Sequence, residues 1–440
     1  MLVNFSIRNF GSVKEKQTLS FEADKSNHLE DYYVVNTNGL RLLKLGLIYG
    51  ANASGKTTIL KALDFLRTLV LKPKNQKTQT FDFEPFLFDE NTPTQNTVFE
   101  IEFIQNDVRY FYEVELNKEA IIREELYSCN VRKSDIFKRT TDLQNKFTKI
   151  KFGAKIKISK SAAEALENNT LWNNTVLGGF LKTNIDIEEF IAILNWFGDY
   201  LNALINPLSN LGKESKKTLN NALHKEVLVQ ILKKADFNIA DISIKKEIIE
   251  ITDINDFIEN PERFYKKGTD KDREFRMLSN KQVSTENIEF EHLIDDKSYF
   301  LALDMESQGT QRYYGLAGML LALIKGAVLF PIDELESSLH PDLFVHFLLS
   351  FLTNAKKSQI IATTHHREIL NNKDIFRNDA IWITDKNNKD CATELYSLAD
   401  FDTSVIGDTS NIYHAYKLGK LGGIPTLNDY YVDMNGDEEK

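Results

Sequence analysis

The 440-residue sequence has little cysteine and no long apolar run. Its two cysteines, Cys129 and Cys391, are far apart and lack the spacing of metal ligands, which excludes a cysteine-based metal site and suggests a reducing interior. The richest apolar window, residues 315–324, is much shorter than the roughly 20 residues that cross a bilayer, and no secretory leader follows Met1. We therefore expect a cytoplasmic protein with no membrane segment.

An excess of positive charge is also missing. The formal net charge is −10 at pH 7, which argues against a generally basic nucleic-acid-binding surface but allows a local basic stripe. Hydrophobic residues make up 42% of the chain, which is enough for a sizeable core. The length allows two or three domains of ordinary size.

What the sequence does contain is a complete phosphate-binding loop. Residues 50–57 read GANASGKT and match the pattern GxxxxGK[ST] at every fixed position. The apolar run 45–49 precedes them, and a helical stripe that includes Ile59 and Leu63 follows, which is the strand–loop–helix setting that the motif requires. Backbone N–H groups of the turn and the helix N-terminus can cradle phosphates. The sequence therefore predicts a nucleoside-triphosphate site.

The loop residues have expected roles. The Lys56 ammonium can reach the β- and γ-phosphate oxygens, and the Thr57 hydroxyl can bind Mg²⁺. We expect ATP and Mg²⁺ as cofactors. The residues predicted to contact the nucleotide are Gly50, Asn52, Ala53, Ser54, Gly55, Lys56, Thr57 and Thr58.

The remaining periodicity predicts three domains. Short alternating runs in residues 1–50 predict strands, and residues 97–127 predict an antiparallel meander. Further elements are expected in chain order: helices over 161–204, a linker over 206–218, a helix over 220–234, a β-strand over 239–251 and an irregular segment over 252–285. The predicted domains span residues 1–128, 129–295 and 296–440.

Residues 130–160 are unusually basic. They contain ten Lys or Arg against two acidic residues, with Phe137, Phe147 and Phe152 interleaved. Such a segment can follow a nucleic-acid backbone and stack bases. A charge run is more often a solvated face whose phenylalanines pack inward, and we favour that interpretation.

An apolar run near the C-terminal end leads into two carboxylates. Residues 328–332 precede Asp333 and Glu334, which is the arrangement of a Walker B element. Asp333 would hold Mg²⁺, directly or through water, and Glu334 could orient and deprotonate the attacking water. The alternative is an acidic pair that caps the next helix, but the upstream phosphate loop favours the catalytic role. Pro331 lacks an N–H within this predicted strand, so we expect a bulge or a local rearrangement there.

Two further elements flank this strand in the sequence. Ser307 and Gly309 lie in SQGT, directly before a predicted helix whose N–H groups suit an anion. One nucleotide cannot be cradled by two such loops of one subunit, so we expect this turn to cap the γ-phosphate bound to another subunit. An ordinary N-capped helix is the alternative. His365 ends an apolar run and could hydrogen-bond the γ-phosphate, although a lone histidine is more often structural.

The order of these motifs resembles that of ABC-type ATPases. Walker A, SQGT before a helix, DELESSLHP and TTH follow one another as in that class. The chain is most similar to the cytoplasmic RecF, SMC and Rad50 relatives, and above all to the RloA/AbiL-like, OLD-related phage-defence ATPases of bacteria. The opening FSIRNFGS and residues 235–242, 381–398 and 416–425 carry the same resemblance. It implies an α/β fold: an ABC-type ATPase head, with a mixed sheet, a parallel core and an antiparallel β subdomain, interrupted by a mostly helical insert.

The resemblance implies roles for individual residues. Asp333 would bind Mg²⁺ together with Thr57, and Glu334 would be the general base. His365 would be the switch histidine, so that Lys56, Glu334 and His365 form the catalytic set.

Ser307 and Gly309 would be the signature that acts on the nucleotide of a partner subunit, and residues 338–341 would form the loop that crosses the dimer interface. The chain departs from the family pattern at His366, where a small polar residue is common.

Other positions are less well defined by the pattern. Gln105 is the candidate for the Q-loop glutamine. Arg8 and Asn9 either approach the nucleotide or play ordinary roles at a strand edge.

Two functions compete. In the first, a homodimer or higher homo-oligomer closes on ATP, opens on hydrolysis and so controls a partner. The resemblance implies anti-phage defence with a separately encoded effector, a nuclease or RloB-like protein. The second is a DNA-binding repair or recombination ATPase of the RecF/Rad50/SMC type. The short insert argues against a long-arm clamp and the acidic net charge against a DNA-loading surface, and nucleic-acid binding stays open.

Overall fold

The computed structural model describes residues 1–129, 132–235, 237–251, 275–279, 281–401 and 412–424. The chain forms two compact units, each built from separated stretches of sequence. The first unit contains Met1, Glu30–Val35 and Gly198–His366, and the second contains Leu2–Leu29, Asn36–Phe197 and Arg367–Lys440. The predicted domain boundaries at 128/129 and 295/296 do not coincide with the limits of these units.

The strands are, in chain order, β1 (Leu2–Arg8), β2 (Gln17–Ser20), β3 (Val34–Thr37), β4 (Leu40–Leu43), β5 (Leu45–Gly50), β6 (Thr97–Gln105), β7 (Val108–Leu116), β8 (Ile121–Cys129), β9 (Lys133–Asp142), β10 (Phe147–Phe152), β11 (Asp241–Glu250), β12 (Phe275–Ser279), β13 (Gln282–Ile294), β14 (Lys297–Ala302), β15 (Leu329–Ile332), β16 (Gln359–Thr363), β17 (Ile381–Lys386) and β18 (Thr393–Ser397). The helices are α1 (Glu30–Tyr33), α2 (Lys56–Leu71), α3 (Lys160–Asn169), α4 (Val176–Phe180), α5 (Glu188–Asn195), α6 (Gly212–Thr218), α7 (Ala222–Lys234), α8 (Gln308–Lys325), α9 (Pro341–Asn354) and α10 (Ile412–Lys417). Within the described residues, no helix combines the length and apolarity needed to cross a membrane.

A seven-stranded antiparallel sheet dominates the second unit. Its strand order is β10–β9–β8–β7–β6–β1–β2, and the predicted meander over 97–127 is confirmed as β6–β7–β8. Alternation in β7 buries Tyr110, Tyr112 and Val114 on one face, as expected for a strand with one face against the core. The Trp196 ring, which follows α5, stacks on Phe103 of β6 with 4.1 Å between ring centroids.

The basic segment belongs to this same sheet. Its strands β9 and β10 extend the meander, which buries Phe137 and the Arg139 guanidinium. Arg139 lies 3.7 Å from the buried Glu124 carboxylate. The prediction that phenylalanines of this segment pack inward is confirmed at Phe137, whereas Phe147 is exposed. Residues 130 and 131 of the segment lie outside the described residues.

Parallel strand pairs occur in both units. In the second unit, β5 runs parallel to β17, and β18 pairs antiparallel with β17. In the first unit, β15 and β16 are parallel, while β11, β12 and β14 pair antiparallel with β13. The predicted mixed α/β fold, with helices between residues 160 and 234, is confirmed.

The bulge predicted at Pro331 is absent. Strand β15 keeps a continuous register with β16, from Leu329 opposite Gln359 to Ile332 opposite Ala362. The Pro331 carbonyl accepts a hydrogen bond from the Ile205 N–H. Because the nitrogen and the carbonyl of one strand residue point to the same side, the nitrogen of Pro331 that lacks a hydrogen also faces residues 201–205. That segment makes only isolated bridges to β15. The missing N–H is tolerated because it falls outside the β15–β16 ladder.

The linker predicted over 206–218 is partly wrong. Its second half forms α6, because this helix packs tightly on α8. A side chain added at Gly318 of α8 would overlap Ser215, and the Ser215 hydroxyl donates to the Tyr314 carbonyl at 2.9 Å. Tertiary packing therefore overrides the Gly-, Lys- and Ser-rich composition.

The irregular segment predicted over 252–285 is wrong at its C-terminal end, where residues 275–279 form β12 and residues 282–285 begin β13. Cross-strand pairing compensates for the polar composition there. Residues 252–274 and 280 lie outside the described residues.

Candidate nucleotide-binding site

The phosphate loop lies between a fully buried strand and a helix in the second unit. Every residue of β5 is buried, and α2 begins at Lys56 without a side-chain cap. Gly55 precedes the helix with a φ of 102°, in the left-handed region that favours glycine, and a side chain there would overlap Thr393. The uncapped helix start can therefore be approached closely by an anion.

Lys56 is held over its own loop. The side chain is 6% exposed, and its ammonium donates to the carbonyl oxygens of Gly50 at 3.0 Å and Ala51 at 2.9 Å. Asn52 and Ala53 are exposed at the tip of the loop. This arrangement, an oriented cation beside an uncapped helix N-terminus, fits the phosphates of a nucleotide.

Hydroxyl side chains from distant parts of the sequence anchor the loop. The Ser54 hydroxyl lies 2.6 Å from Thr384 Oγ1 of β17. The Thr393 hydroxyl of β18 is within hydrogen-bonding distance of the Ser54 carbonyl (2.9 Å) and of Ser12 Oγ (2.7 Å). Ser12 in turn donates to Thr58 at 3.1 Å. No motif in the sequence gives Ser12, Thr384 or Thr393 the role of anchoring the phosphate loop.

Asn9 has a structural role. Its buried amide donates to the carbonyls of Thr92 and Gln95 and accepts the Phe86 N–H, each at 2.9 Å. Asn9 therefore holds residues 86–95 rather than a nucleotide, whereas Arg8 is exposed at the end of β1.

Gln105 lies at the end of β6 opposite to Thr97, and its role as the Q-loop glutamine stays a prediction. The start of β6 is near the loop, since Thr97 donates to the Asn9 carbonyl and Gly11 lies against Thr58. Gln105 ends the same strand, about 27 Å away at about 3.4 Å per residue.

The Walker B residues lie in the first unit, at the end of β15. Asp333 is 8% exposed, and its Oδ1 accepts a hydrogen bond from the Thr363 hydroxyl at 2.6 Å. The same hydroxyl accepts the Glu334 N–H at 2.8 Å. Glu334 has a φ of 49°, so the chain turns sharply here, and its side chain is exposed. Thr363 thus fixes the carboxylate of one residue and the backbone of the next.

His365 is tied to the same turn through its backbone. Its N–H donates to Glu336 Oε1 at 2.5 Å, and the Leu335 N–H donates to the Thr363 carbonyl at 3.1 Å. His366, where the family pattern differs, places its ring edge-on to Phe344 with 5.7 Å between centroids. The first unit therefore brings Asp333, Glu334 and His365 into one small cluster.

The signature residues lie at the start of α8 in the first unit. Ser307 is the N-cap, and its hydroxyl accepts the Thr310 N–H at 3.1 Å. A Cβ added at Gly309 would lie 3.2 Å from the Ser338 carbonyl, so the turn contacts the predicted interface loop of its own chain. On its other side, His292 Nε2 lies 2.7 Å from the carboxylate of Glu306, the residue before Ser307. An N-cap is compatible with both sequence interpretations of Ser307.

The donor set suits Mg²⁺ bound together with a nucleotide. The described residues contain no group of three or more His, Cys, Asp or Glu arranged to hold a metal on their own. Mg²⁺ commonly takes one or two protein oxygens and completes its shell with phosphates and water. The Thr57 hydroxyl and the Asp333 carboxylate are ligands of this kind, and their metal-binding roles stay predictions.

The sequence matches one protein family across most of these residues. Residues 47–371 match the family described as "AAA domain, putative AbiEii toxin, Type IV TA system". The match includes the loop, the signature turn, the Walker B carboxylates and His365, and it covers more than half of the chain. The chain belongs to this AAA-domain family. Its predicted class, an ATPase of a family that uses ATP with Mg²⁺, is thereby supported. No curated protein matches the sequence.

Solved structures of low similarity include three heads of SMC proteins. The SMC head domain from Thermotoga maritima has 14% sequence identity and a TM-score of 0.40, covering 90% of this chain and 98% of that one. An SMC head bound to the C-winged helix domain of ScpA has 13% sequence identity and a TM-score of 0.44, covering 90% of this chain and 97% of that one. An Smc head domain with an extended coiled coil, bound to the C-terminal domain of ScpA derived from Pyrococcus furiosus, has 13% sequence identity and a TM-score of 0.40. The alignment covers 90% of this chain and 96% of that one. Likenesses this remote carry no functional weight.

Proposed function

We propose that this chain is a cytoplasmic, RloA/AbiL-like ATPase that closes as a homodimer around two ATP molecules and thereby controls a separately encoded effector in anti-phage defence. The observation that carries the proposal is the local geometry of two elements, the phosphate loop and the Walker B turn. A Lys56-bearing loop at an uncapped helix start lies in one unit, and a Thr363-fixed carboxylate pair lies in the other. Both belong to the matched family region.

The residues divide the work of hydrolysis. The loop N–H groups and Lys56 would bind the β- and γ-phosphates, and Glu334, whose side chain is exposed, would orient and deprotonate the attacking water. Mg²⁺, held by Thr57 and Asp333, would neutralise phosphate charge as it develops. Ser307 and Gly309 of one copy would contact the γ-phosphate held by the other, and His365 would sense it. Closure then depends on the γ-phosphate, so hydrolysis reopens the dimer.

The first test compares the wild type with Lys56→Ala and Glu334→Gln. Lys56→Ala should lose nucleotide binding, with Lys61→Ala on the exposed side of the same helix as the control. Glu334→Gln should bind ATP, stop turnover and shift to a dimer on size-exclusion chromatography with light scattering. Normal hydrolysis by Glu334→Gln would show that the base has been assigned wrongly.

The second test concerns the shared site. Ser307→Arg should bind ATP without turnover. When Ser307→Arg is mixed with Lys56→Ala, one intact composite site can form per heterodimer, and part of the activity should return. A mixture that stays inactive while heterodimers form would refute the contribution of the signature in trans.

The defence role requires a cellular test. Phage plating on bacteria that carry this gene and its neighbours should be reduced, and Lys56→Ala should restore plating. Salt-dependent DNA binding that strengthens with ATP, without any effect on phage, would instead favour the repair or recombination function. The burial of Phe137 and Arg139 removes two residues from the basic segment that such binding could have used.

A further inference from the structure

The signature helix contains a buried charge that lacks hydrogen bonds. Arg312 follows Ser307 by five residues in α8 and is 8% exposed. Its Nε, Nη1 and Nη2 atoms are buried and have no hydrogen-bond partner among the residues that the structure describes. A buried guanidinium in this state destabilises the fold, because it gives up hydration without full compensation. Its presence calls for an explanation other than stability.

The counter-charge is Glu336, in the turn that follows the Walker B carboxylates. Burial lowers the pKa of Arg312, and attraction to Glu336 opposes that effect. Glu336 Oε1 accepts the His365 N–H, while Glu336 Oε2 is buried and, within the described part of the chain, has no hydrogen-bond partner. Two opposite charges therefore interact, each with unused hydrogen-bonding capacity.

Glu336 connects the elements that carry the proposed chemistry. The Ser337 N–H donates to the Glu334 carbonyl at 2.9 Å, so Glu336 lies inside the turn that orients Glu334. Through His365, the same carboxylate fixes the end of β16. A guanidinium on α8 that pairs with Glu336 would tie the signature helix to both.

We propose that Arg312 is a positioning residue whose guanidinium pairs with Glu336 Oε2 when the dimer closes on ATP. Contact of Ser307 with the partner's nucleotide then sets the positions of Glu334 and His365. The inference rests on the proposed ATPase function and adds a link within each subunit. Both partners already lie within the subunit, so the link requires no new residue.

This role predicts an unusual combination of effects. Arg312→Met keeps an unbranched apolar stem but removes the charged guanidinium, so thermal stability should stay equal or rise. ATP binding should change less than threefold, because the proposal gives Arg312 no contact with the nucleotide or with Lys56. The kcat should fall about 10- to 100-fold, the range of one charge-assisted contact made only on closure. Arg312→Lys should recover part of the lost kcat. Lys325→Met, at the far end of α8, is the control and should keep the wild-type kcat.

A double variant separates positioning from packing. If Arg312 acts through Glu336, then Arg312→Met combined with Glu336→Gln should be no slower than the slower single variant. A wild-type kcat in Arg312→Met would overturn the inference. So would kcat losses that add in the double variant and parallel a fall in melting temperature. In a wild type that hydrolyses ATP and loses activity on Glu334→Gln, that result leaves the proposed function intact. A wild type without ATPase activity would overturn both.

Discussion

Replacement of Thr363 by valine tests how the Walker B carboxylate is held. Valine keeps the shape of threonine and removes only the hydroxyl, which donates to Asp333 Oδ1 and accepts the Glu334 N–H. A hydrogen bond to a charged group contributes about 1.5–3 kcal/mol, and a buried donor left without a partner costs about 1–3 kcal/mol. We take about 3 kcal/mol for the two hydrogen bonds of the Thr363 hydroxyl together. This is an intermediate value, because Thr363 and Asp333 are buried but the Glu334 side chain is exposed.

Most of this free energy should be lost from the transition state. About 2.7 kcal/mol corresponds to a 100-fold slower reaction, so kcat should fall about 100-fold. The apparent Mg²⁺ requirement at saturating ATP should rise, because Asp333 is no longer oriented. Nucleotide binding without Mg²⁺ should be unchanged, since the hydrogen bonds of the Thr363 hydroxyl go to Asp333 and Glu334. The measurements are steady-state ATPase rates over a Mg²⁺ titration and fluorescent-nucleotide binding.

Thr363→Ser is the matched control, because it keeps the hydroxyl and loses only a methyl group. It should stay close to the wild type in Mg²⁺ dependence and lose about 1 kcal/mol of stability at most. Equal impairment of the serine and valine variants would assign the effect to packing. A valine variant with wild-type kcat and Mg²⁺ dependence would refute the positioning of Asp333 by Thr363.

Three other changes probe the surrounding structure. Asn9→Ala should lower the unfolding free energy of the segment 86–95 by about 1–3 kcal/mol, seen as faster hydrogen exchange there, because three backbone groups lose their partner; unchanged exchange would contradict this role. Gly318→Ala should destabilise the packing of α6 on α8 by about 1–3 kcal/mol in denaturant unfolding, since the new methyl group overlaps Ser215, and an unchanged midpoint would argue against the close approach. Lys149→Glu together with Lys151→Glu, both exposed on β10, should leave ATPase activity unchanged and should alter DNA binding only if the basic segment contacts nucleic acid.

The parts predicted well from the sequence are those governed by local pattern. The strand before the loop, the helix after it and the meander β6–β8 each follow from periodicity and from one glycine-rich motif. The parts predicted wrongly depend on neighbours that the sequence does not announce. Pro331 fits because its missing donor faces an irregular segment, and α6 forms because Gly318 lets it approach.

The candidate site shows the same division between local and distant information. The motifs identify Lys56, Asp333 and Glu334, whose chemistry requires particular charges at particular spacings. They give no orienting role to Thr363, although it belongs to the TTH motif, and none to Ser12, Thr384 or Thr393, which anchor the phosphate loop.

These orienting residues are hidden for a physical reason. Threonine and valine are both β-branched and fit a buried strand equally well, so a threonine in β16, β17 or β18 resembles any other strand residue in a pattern of hydrophobicity. Only the hydroxyl distinguishes them, because it donates to one group while accepting from another. At Thr363 this joins a carboxylate to the neighbouring backbone N–H. Valine substitutions at Thr363, Thr384 and Thr393 should therefore preserve the strands but remove these hydrogen bonds. Thr363→Val should raise the Mg²⁺ requirement, because its hydroxyl holds Asp333. Thr384→Val and Thr393→Val should lower nucleotide affinity, because their hydroxyls contact Ser54 of the phosphate loop.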